Sequence, residues 1–207
     1  TQEIVKIIEL SKEFMIPITP RGAGTGLSGG AIPIHGGIVI ATARMRKIIE
    51  IDPINRIAIV EPGVPNINLT TTAASHGLFY APDPSSQKAC TIGGNIAENA
   101  GGPHCLALGV TTNHVLGMEI VTADGETMWL GGKTPESAGY DVRGLFIGSE
   151  GTLGIATKIV VRLLPIPATI TTMLAIFNNI EDACHAVSSI IEGGLIPAAL
   201  ELLDKVT

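Results

Sequence analysis

The sequence predicts an α+β fold, and three observations predict it. Apolar residues between Glu3 and Met15 recur at helical spacing, while the β-branched runs at 38–42, 48–51 and 57–60 read as strands. The most glycine-rich stretch of the chain opens into one of those strands and not into a helix. Helices and strands thus alternate without the strict β-then-α order of a doubly wound sheet.

In the first helix Ile4, Ile7, Ile8, Leu10 and Phe14 form the apolar face, and Lys6, Glu9, Lys12 and Glu13 the wet one. Pro17 ends it, and Ile18–Thr19 make a short strand. Ile48–Ile51 and Ile57–Val60 are joined by the turn Asp52-Pro53-Ile54-Asn55, so 1–60 reads as one small α+β unit. Asn66–His76 is a second helix with Gly77 as its left-handed stop. From Tyr80 to Asn113 the pattern weakens, and a run so long inside a domain is expected to face a ligand. A hairpin follows: His114–Thr122, the turn Ala123-Asp124-Gly125, and Glu126–Leu130. Residues 139–154 form a third glycine-punctuated loop leading into a strand at 155–164. Beyond Pro165 and Pro167 the sequence predicts a strand at 169–177, then a helix capped near Asn179 and stopped at Gly193-Gly194. A last segment, 198–206, is then cut off. The expected division is 1–60, 61–165 and 166–207, the third being the start of a further domain.

The loop from Pro17 to Gly37 carries the first functional signal. Seven of its last sixteen residues are glycine, which bares consecutive backbone N–H groups and suits anionic oxygens. Arg21 is the only full positive charge between Lys12 and Arg44, so a phosphate here would be held mainly by main-chain donors. Gly24-Thr25-Gly26-Leu27-Ser28-Gly29 matches G-x-G-x-x-G, and Glu50 stands near the place of a ribose-binding carboxylate. The dinucleotide fingerprint must nevertheless open a helix, and this loop opens a strand. Gly132-Lys133-Thr134 resembles the end of a Walker A motif, but Thr127 stands where its first glycine is required. The spacing around Ser28 is also wrong for a nucleophile elbow, which leaves its hydroxyl as a phosphate donor.

Composition narrows the partners. A formal charge of −6 argues against nucleic acid and anionic membranes. No apolar run approaches the roughly 18 residues of a membrane span. Cys90, Cys105 and Cys184 make no disulfide framework, and no signal peptide is visible, so the cytoplasm is the expected compartment. His104, Cys105 and His114 fit no metal-ligand spacing, and no metal is expected. The opening at Thr1 directly into a helix suggests a fragment.

Three segments carry a family resemblance: PITPRGAGTGLSGGA, then DPSSQKACTIGGNIAENAGGPHCLALGVTTNHVLGMEIV, then GLFIGSEGTLGIATKIVVRLLP. In that order they resemble the PCMH-type FAD-binding domain of the vanillyl-alcohol-oxidase superfamily. The nearest group is that of glycolate oxidase FAD subunits and D-lactate or D-2-hydroxyacid dehydrogenases. The resemblance covers nearly the whole chain and implies two α+β subdomains with FAD between them, followed by the start of a substrate domain. It implies that Arg21, Gly22, Ala23, Gly24, Thr25, Gly26 and Ser28 cradle the pyrophosphate. Pro82, Asp83, Ser86, Thr91, Gly93, Gly94, Asn95, Ala97 and Gly101 would approach the flavin and ribityl chain. Glu150, Gly154 and Ile155 would flank the adenine end. Glu98 and Asn99 are open between cofactor contact and a capping or packing role.

Some relatives attach FAD through a histidine in the first loop. Here that place holds Thr25 or Gly26, so non-covalent FAD is expected. The implied chemistry is oxidation of a small 2-hydroxy acid, with further oxidase subunits as candidate partners and, through them, a peripheral membrane location. Substrate-clamping and proton-accepting groups belong to the family's substrate domain, so no residue here is nominated as catalytic. His76, His104, His114 and His185 read as structural or surface groups. An isolated FAD fragment without turnover is one alternative, and an electron-transfer domain of a larger oxidoreductase is another. The strand that ordinarily precedes the first helix in this family is also missing from the sequence, which leaves an open sheet edge as an expectation.

Overall fold

The structure is a computed structural model, and it describes residues 1–136 and 139–204. Helix α1 (Gln2–Phe14) ends in a left-handed Met15 whose N–H returns to the last turn. Strands β1 (Ile18–Arg21) and β2 (Ile38–Ala41) flank the glycine loop and pair in parallel. Strands β3 (Ile48–Asp52) and β4 (Ile57–Val60) are joined by a turn that Asp52 fastens, its Oδ1 accepting from the N–H groups of Ile54 and Asn55 at 3.0 Å each.

Helix α2 (Asn66–Ala74) precedes the short β5 (Leu78–Phe79). The region expected to be one long loop contains helix α3 (Ile92–Glu98) and the single turn α4 (Cys105–Leu108). The hairpin forms as predicted, as β6 (Val115–Val121) and β7 (Thr127–Gly131). Helix α5 (Val142–Phe146) interrupts the third loop before β8 (Ile155–Arg162), and β9 (Leu164–Pro165) pairs with β5.

The main sheet has the order β3-β4-β8-β6-β7 with every pairing antiparallel. Strand pairing therefore runs across residue 60. The reason is burial: Ile57, Ala58 and Val60 are all covered, so β4 needs neighbours on both edges and takes β3 and β8. Helices α2 and α3 close one face, where Leu69, Ile92 and Ile96 pack on Met118, Ile159 and Val161. A smaller core joins α1 to this body, with Ile4, Ile8 and Ile40 against Val121 and Ile155. That core fixes where the glycine loop sits, because the loop hangs from β1 and β2.

Two expectations are corrected. Residues 169–177 form no strand; they are exposed, and among the described residues no neighbouring strand offers them hydrogen bonds. The weakly patterned stretch 80–113 is partly helical. Helix α6 (Ile180–Glu192) does form, with Asn179 Oδ1 accepting from the Asp182 N–H at 2.8 Å, and none of its residues is buried. Of the last segment, 205–207 lie outside the described residues.

Glu119 of β6 ties three elements together. Its carboxylate accepts from Thr1 Oγ1 at 2.6 Å, Thr157 Oγ1 at 2.7 Å and Lys158 Nζ at 2.8 Å. Burial alone raises its pKa, but the bonds from Lys158, Thr1 and Thr157 together outweigh it and hold the carboxyl at about 2. A depressed carboxylate pKa stabilises the fold above the unfolded value of 4.5, and that contribution is lost as pH falls towards 2. Urea unfolding at pH 6 and pH 3 should therefore show a loss of roughly 1–3 kcal/mol from this residue, and Glu119→Gln should shrink the difference between the two pH values.

Candidate functional site

The glycine loop, residues 22–37, contains no helix or strand. Its first half lies against α3 and the segment before it, and the space between them is a crevice of about 350 Å³, within the range of small-ligand sites. A narrower cavity of about 60 Å³ adjoins it, sharing Pro20, Gly22, Gly94, Ala97 and Glu150.

The walls approach closely because side chains are missing. A Cβ on Gly22 would stand 2.6 Å from Thr91 Oγ1, a distance that real Cβ atoms do not adopt. Thr91 in turn caps α3, its hydroxyl accepting from the Gly94 N–H at 3.3 Å. Gly93 packs on Pro62, where a Cβ would come within 2.6 Å of the proline Cβ and 3.0 Å of its carbonyl oxygen. Gly24 has φ +74° and lies under the Arg21 guanidinium. The glycine loop therefore comes up to its neighbours as bare main chain, and the first turn of a short helix stands across from it.

Most of the sequence-predicted residues meet here. Gly22, Ala23, Gly24, Thr25, Gly26 and Ser28 line the larger crevice on one side, with Ser86, Thr91, Gly94, Asn95, Ala97 and Glu150 on the other. Arg21, Gly93, Gly154 and Ile155 line the narrower cavity. Pro82, Asp83 and Gly101 line neither. Pro82 is buried and gives its carbonyl to Asn66 Nδ2 at 2.8 Å. Asp83 Oδ2 pairs with His104 Nδ1 at 2.5 Å, and Gly101 packs against Cys105 and Val110. Asn95 borders the crevice, but its amide is already committed, accepting from Asn66 and donating to Cys90 Sγ.

The two residues left open lie differently. Asn99 is the left-handed cap of α3, and its Oδ1 accepts from the Thr112 N–H at 3.0 Å. Glu98 instead opens onto the crevice. Sequence reasoning missed Cys90 and Ala100, which also line it. Their only signal was position within the second segment.

The histidines fall as expected. His114 is wholly buried with Nε2 at 2.7 Å from the Leu108 carbonyl, and burial holds its pKa down, countered in part by that bond. His76 and His185 are exposed. Lys133, from the false Walker motif, forms an ion pair with Glu50 at 3.1 Å.

The site is thus a bare-backbone crevice between two glycine-rich segments on an α+β body. Comparison with known proteins gives the family. The FAD binding domain family matches residues 1–131, and the family of FAD linked oxidase C-terminal domains matches 166–207. The chain belongs to the FAD binding domain family. It is 46% identical over 206 residues to glycolate oxidase subunit GlcD of Escherichia coli, covering 100% of this chain and 41% of that protein. The Bacillus subtilis GlcD is 49% identical over 208 residues, of which the chain spans 44%. D-lactate dehydrogenase of Archaeoglobus fulgidus is 42% identical over 99% of the chain and 46% of its own length. The chain thus spans less than half of the curated relatives it matches. Among solved structures, alkyldihydroxyacetonephosphate synthase superposes with a TM-score of 0.79 at 26% identity, covering 95% of this chain and 39% of that one.

The two glycine contacts predict opposite outcomes for one substitution. Gly93→Ala should destabilise the fold by about 1–3 kcal/mol through overpacking on Pro62. Gly132→Ala, where a Cβ meets nothing within 4 Å, should leave the melting temperature unchanged. Thermal unfolding followed by circular dichroism compares them directly.

Proposed function

We propose that this chain is the FAD-binding part of a flavin-dependent oxidoreductase that converts a 2-hydroxy acid, of glycolate or D-lactate type, to the 2-oxo acid. The observation that carries the reading is the crevice itself, one wall of which is the nearly side-chain-free glycine loop. Whole-chain identity to proteins named glycolate oxidase subunit and D-lactate dehydrogenase supports the choice of substrate class.

The residues present fit the cofactor. Backbone N–H groups from Gly22 to Ser28 would hold the diphosphate, since glycine and alanine leave them uncovered. Gly94 and Ala97 offer a smooth wall to a flat ring or a ribityl chain, and Gly154 and Ile155 close the narrower end. The flavin, when bound, supplies the oxidant for removing a hydride equivalent from the hydroxyl-bearing carbon. This chain's own contribution is to grip the cofactor, fix its orientation and keep bulk away from it.

Attachment is non-covalent on this reading, because Thr25 and Gly26 stand where a linking histidine would be needed. Residues 166–207 open a substrate-side domain. Further oxidase subunits are candidate partners, and the cytoplasm, or a membrane surface reached through those subunits, is the proposed location. Among the described residues no helix is long and apolar enough to cross a membrane.

Titrating the purified chain with FAD should quench flavin fluorescence to a stoichiometric end point, and acid precipitation should leave all yellow colour in the supernatant. Anaerobic glycolate or D-lactate should bleach the flavin band of the full-length protein. Absence of FAD uptake by the folded chain would overturn the cofactor reading. Uptake without bleaching by either acid in the full-length protein would overturn the substrate class.

A further inference from the structure

The crevice carries the wrong charge for the ligand it fits. A dinucleotide diphosphate brings two negative charges, yet the titratable groups lining the larger crevice are Cys90, Glu98 and Glu150. Among the described residues the one cation lining either space is Arg21, which belongs to the adjoining cavity and lies against Gly24. No histidine or lysine among the described residues lines either space.

Both carboxylates face the glycine loop. Glu98 ends α3, and its Oε1 is 2.8 Å from where a Cβ would stand on Gly26. Glu150 approaches from the loop after α5, with Oε2 3.2 Å from the Cβ position of Gly30. The main chain holds them there: the Glu150 N–H donates to the Ala97 carbonyl at 2.8 Å, and Glu150 keeps φ at 53°. Among the described residues neither carboxylate takes a hydrogen bond or an ion pair that would fix it as an anion. Partial burial, and then the charge of Glu150, push the Glu98 pKa up from its ordinary value.

A diphosphate taken into this crevice would add like charges to a confined space, where each costs more than in water. The Glu98 carboxyl is already biased towards holding a proton. Neutralised, it also changes from acceptor only to hydrogen-bond donor beside an anion.

We propose that Glu98 takes up a proton when the dinucleotide cofactor binds, so that cofactor affinity is coupled to pH through this one side chain. The inference rests on the reading of the crevice as the FAD site. No bond is made or broken beyond the O–H of the carboxyl, with solvent as the proton donor. Affinity is then highest at low pH. It falls as pH rises, by up to tenfold per unit, once pH exceeds the Glu98 pKa of the free protein and until it exceeds that of the complex.

The test is calorimetric titration of the cofactor-free chain with FAD between pH 5 and 8.5, at each pH in two buffers of different ionisation enthalpy. Uptake of up to one proton per FAD is expected, with affinity weakening at least tenfold across the range. Glu98→Gln, which keeps the shape and removes the charge, should abolish the uptake, flatten the profile and bind more tightly than the parent at pH 8.5. Glu150→Gln should retain uptake while shifting it to lower pH. Binding without proton uptake would overturn this inference and leave the site reading intact, whereas no binding at any pH would overturn the site reading itself. A Glu98→Gln profile matching the parent would also sink it. So would full recovery of affinity at pH 8.5 on adding magnesium, because a divalent cation and not a proton would then offset the carboxylates.

Discussion

The close approach of Gly22 to the first turn of α3 is the contact on which the rest of the site depends. Thr91 Oγ1 occupies the space that any side chain on residue 22 would need, and the same oxygen accepts the Gly94 N–H that starts the helix. One hydroxyl therefore sets both the loop position and the helix start. The crevice follows from that distance, since a side chain on residue 22 would push the loop away from α3. The loop is in turn suspended between two parallel strands whose attachment is a small apolar core, Ile40 against Val121 and Ile155. Packing away from the crevice thus decides where the glycine loop lies.

The polar layer under α3 shows the same dependence. Asn66 is fully buried and spends its amide on the Pro82 carbonyl and on Asn95, which passes its own amide to Cys90. Buried amides of this kind are costly unless paired, and here the pairing joins α2, the 82–90 segment and α3. Pro82 and Asp83 are consequently structural neighbours of the crevice and not its lining. Their place in a ligand-facing motif reflects what holds the motif in shape.

Much of this was legible in the sequence, and the failures have physical causes. Helix α1 and the 115–131 hairpin announced themselves through periodicity and a turn with a positive-φ glycine, Gly125. The first loop was readable because glycine density reports directly on bare backbone. Helix α3 was not, since ILE-GLY-GLY-ASN-ILE-ALA-GLU in one-letter form, IGGNIAE, spends two of seven positions on a residue that disfavours helices by about 1 kcal/mol each. Its cap and its packing under Ile92 and Ile96 overcome that propensity. The strand expected at 169–177 failed for the opposite reason. Its β-branched residues favour extended backbone, but extension alone makes no strand without a neighbour to bond.

Glu98 illustrates what neither motif nor propensity could decide. In sequence it is one acidic residue after a small-residue run, equally suited to capping or to ligand contact. Only the fold shows that Asn99 takes the capping role, leaving the preceding carboxyl turned towards Gly26. A domain that binds an anion through main-chain dipoles has little net positive charge with which to tolerate nearby carboxylates. Placing two of them at the glycine loop means the electrostatics of the empty and filled crevice must differ. A group that can change its charge is the simplest way for one set of side chains to serve both states.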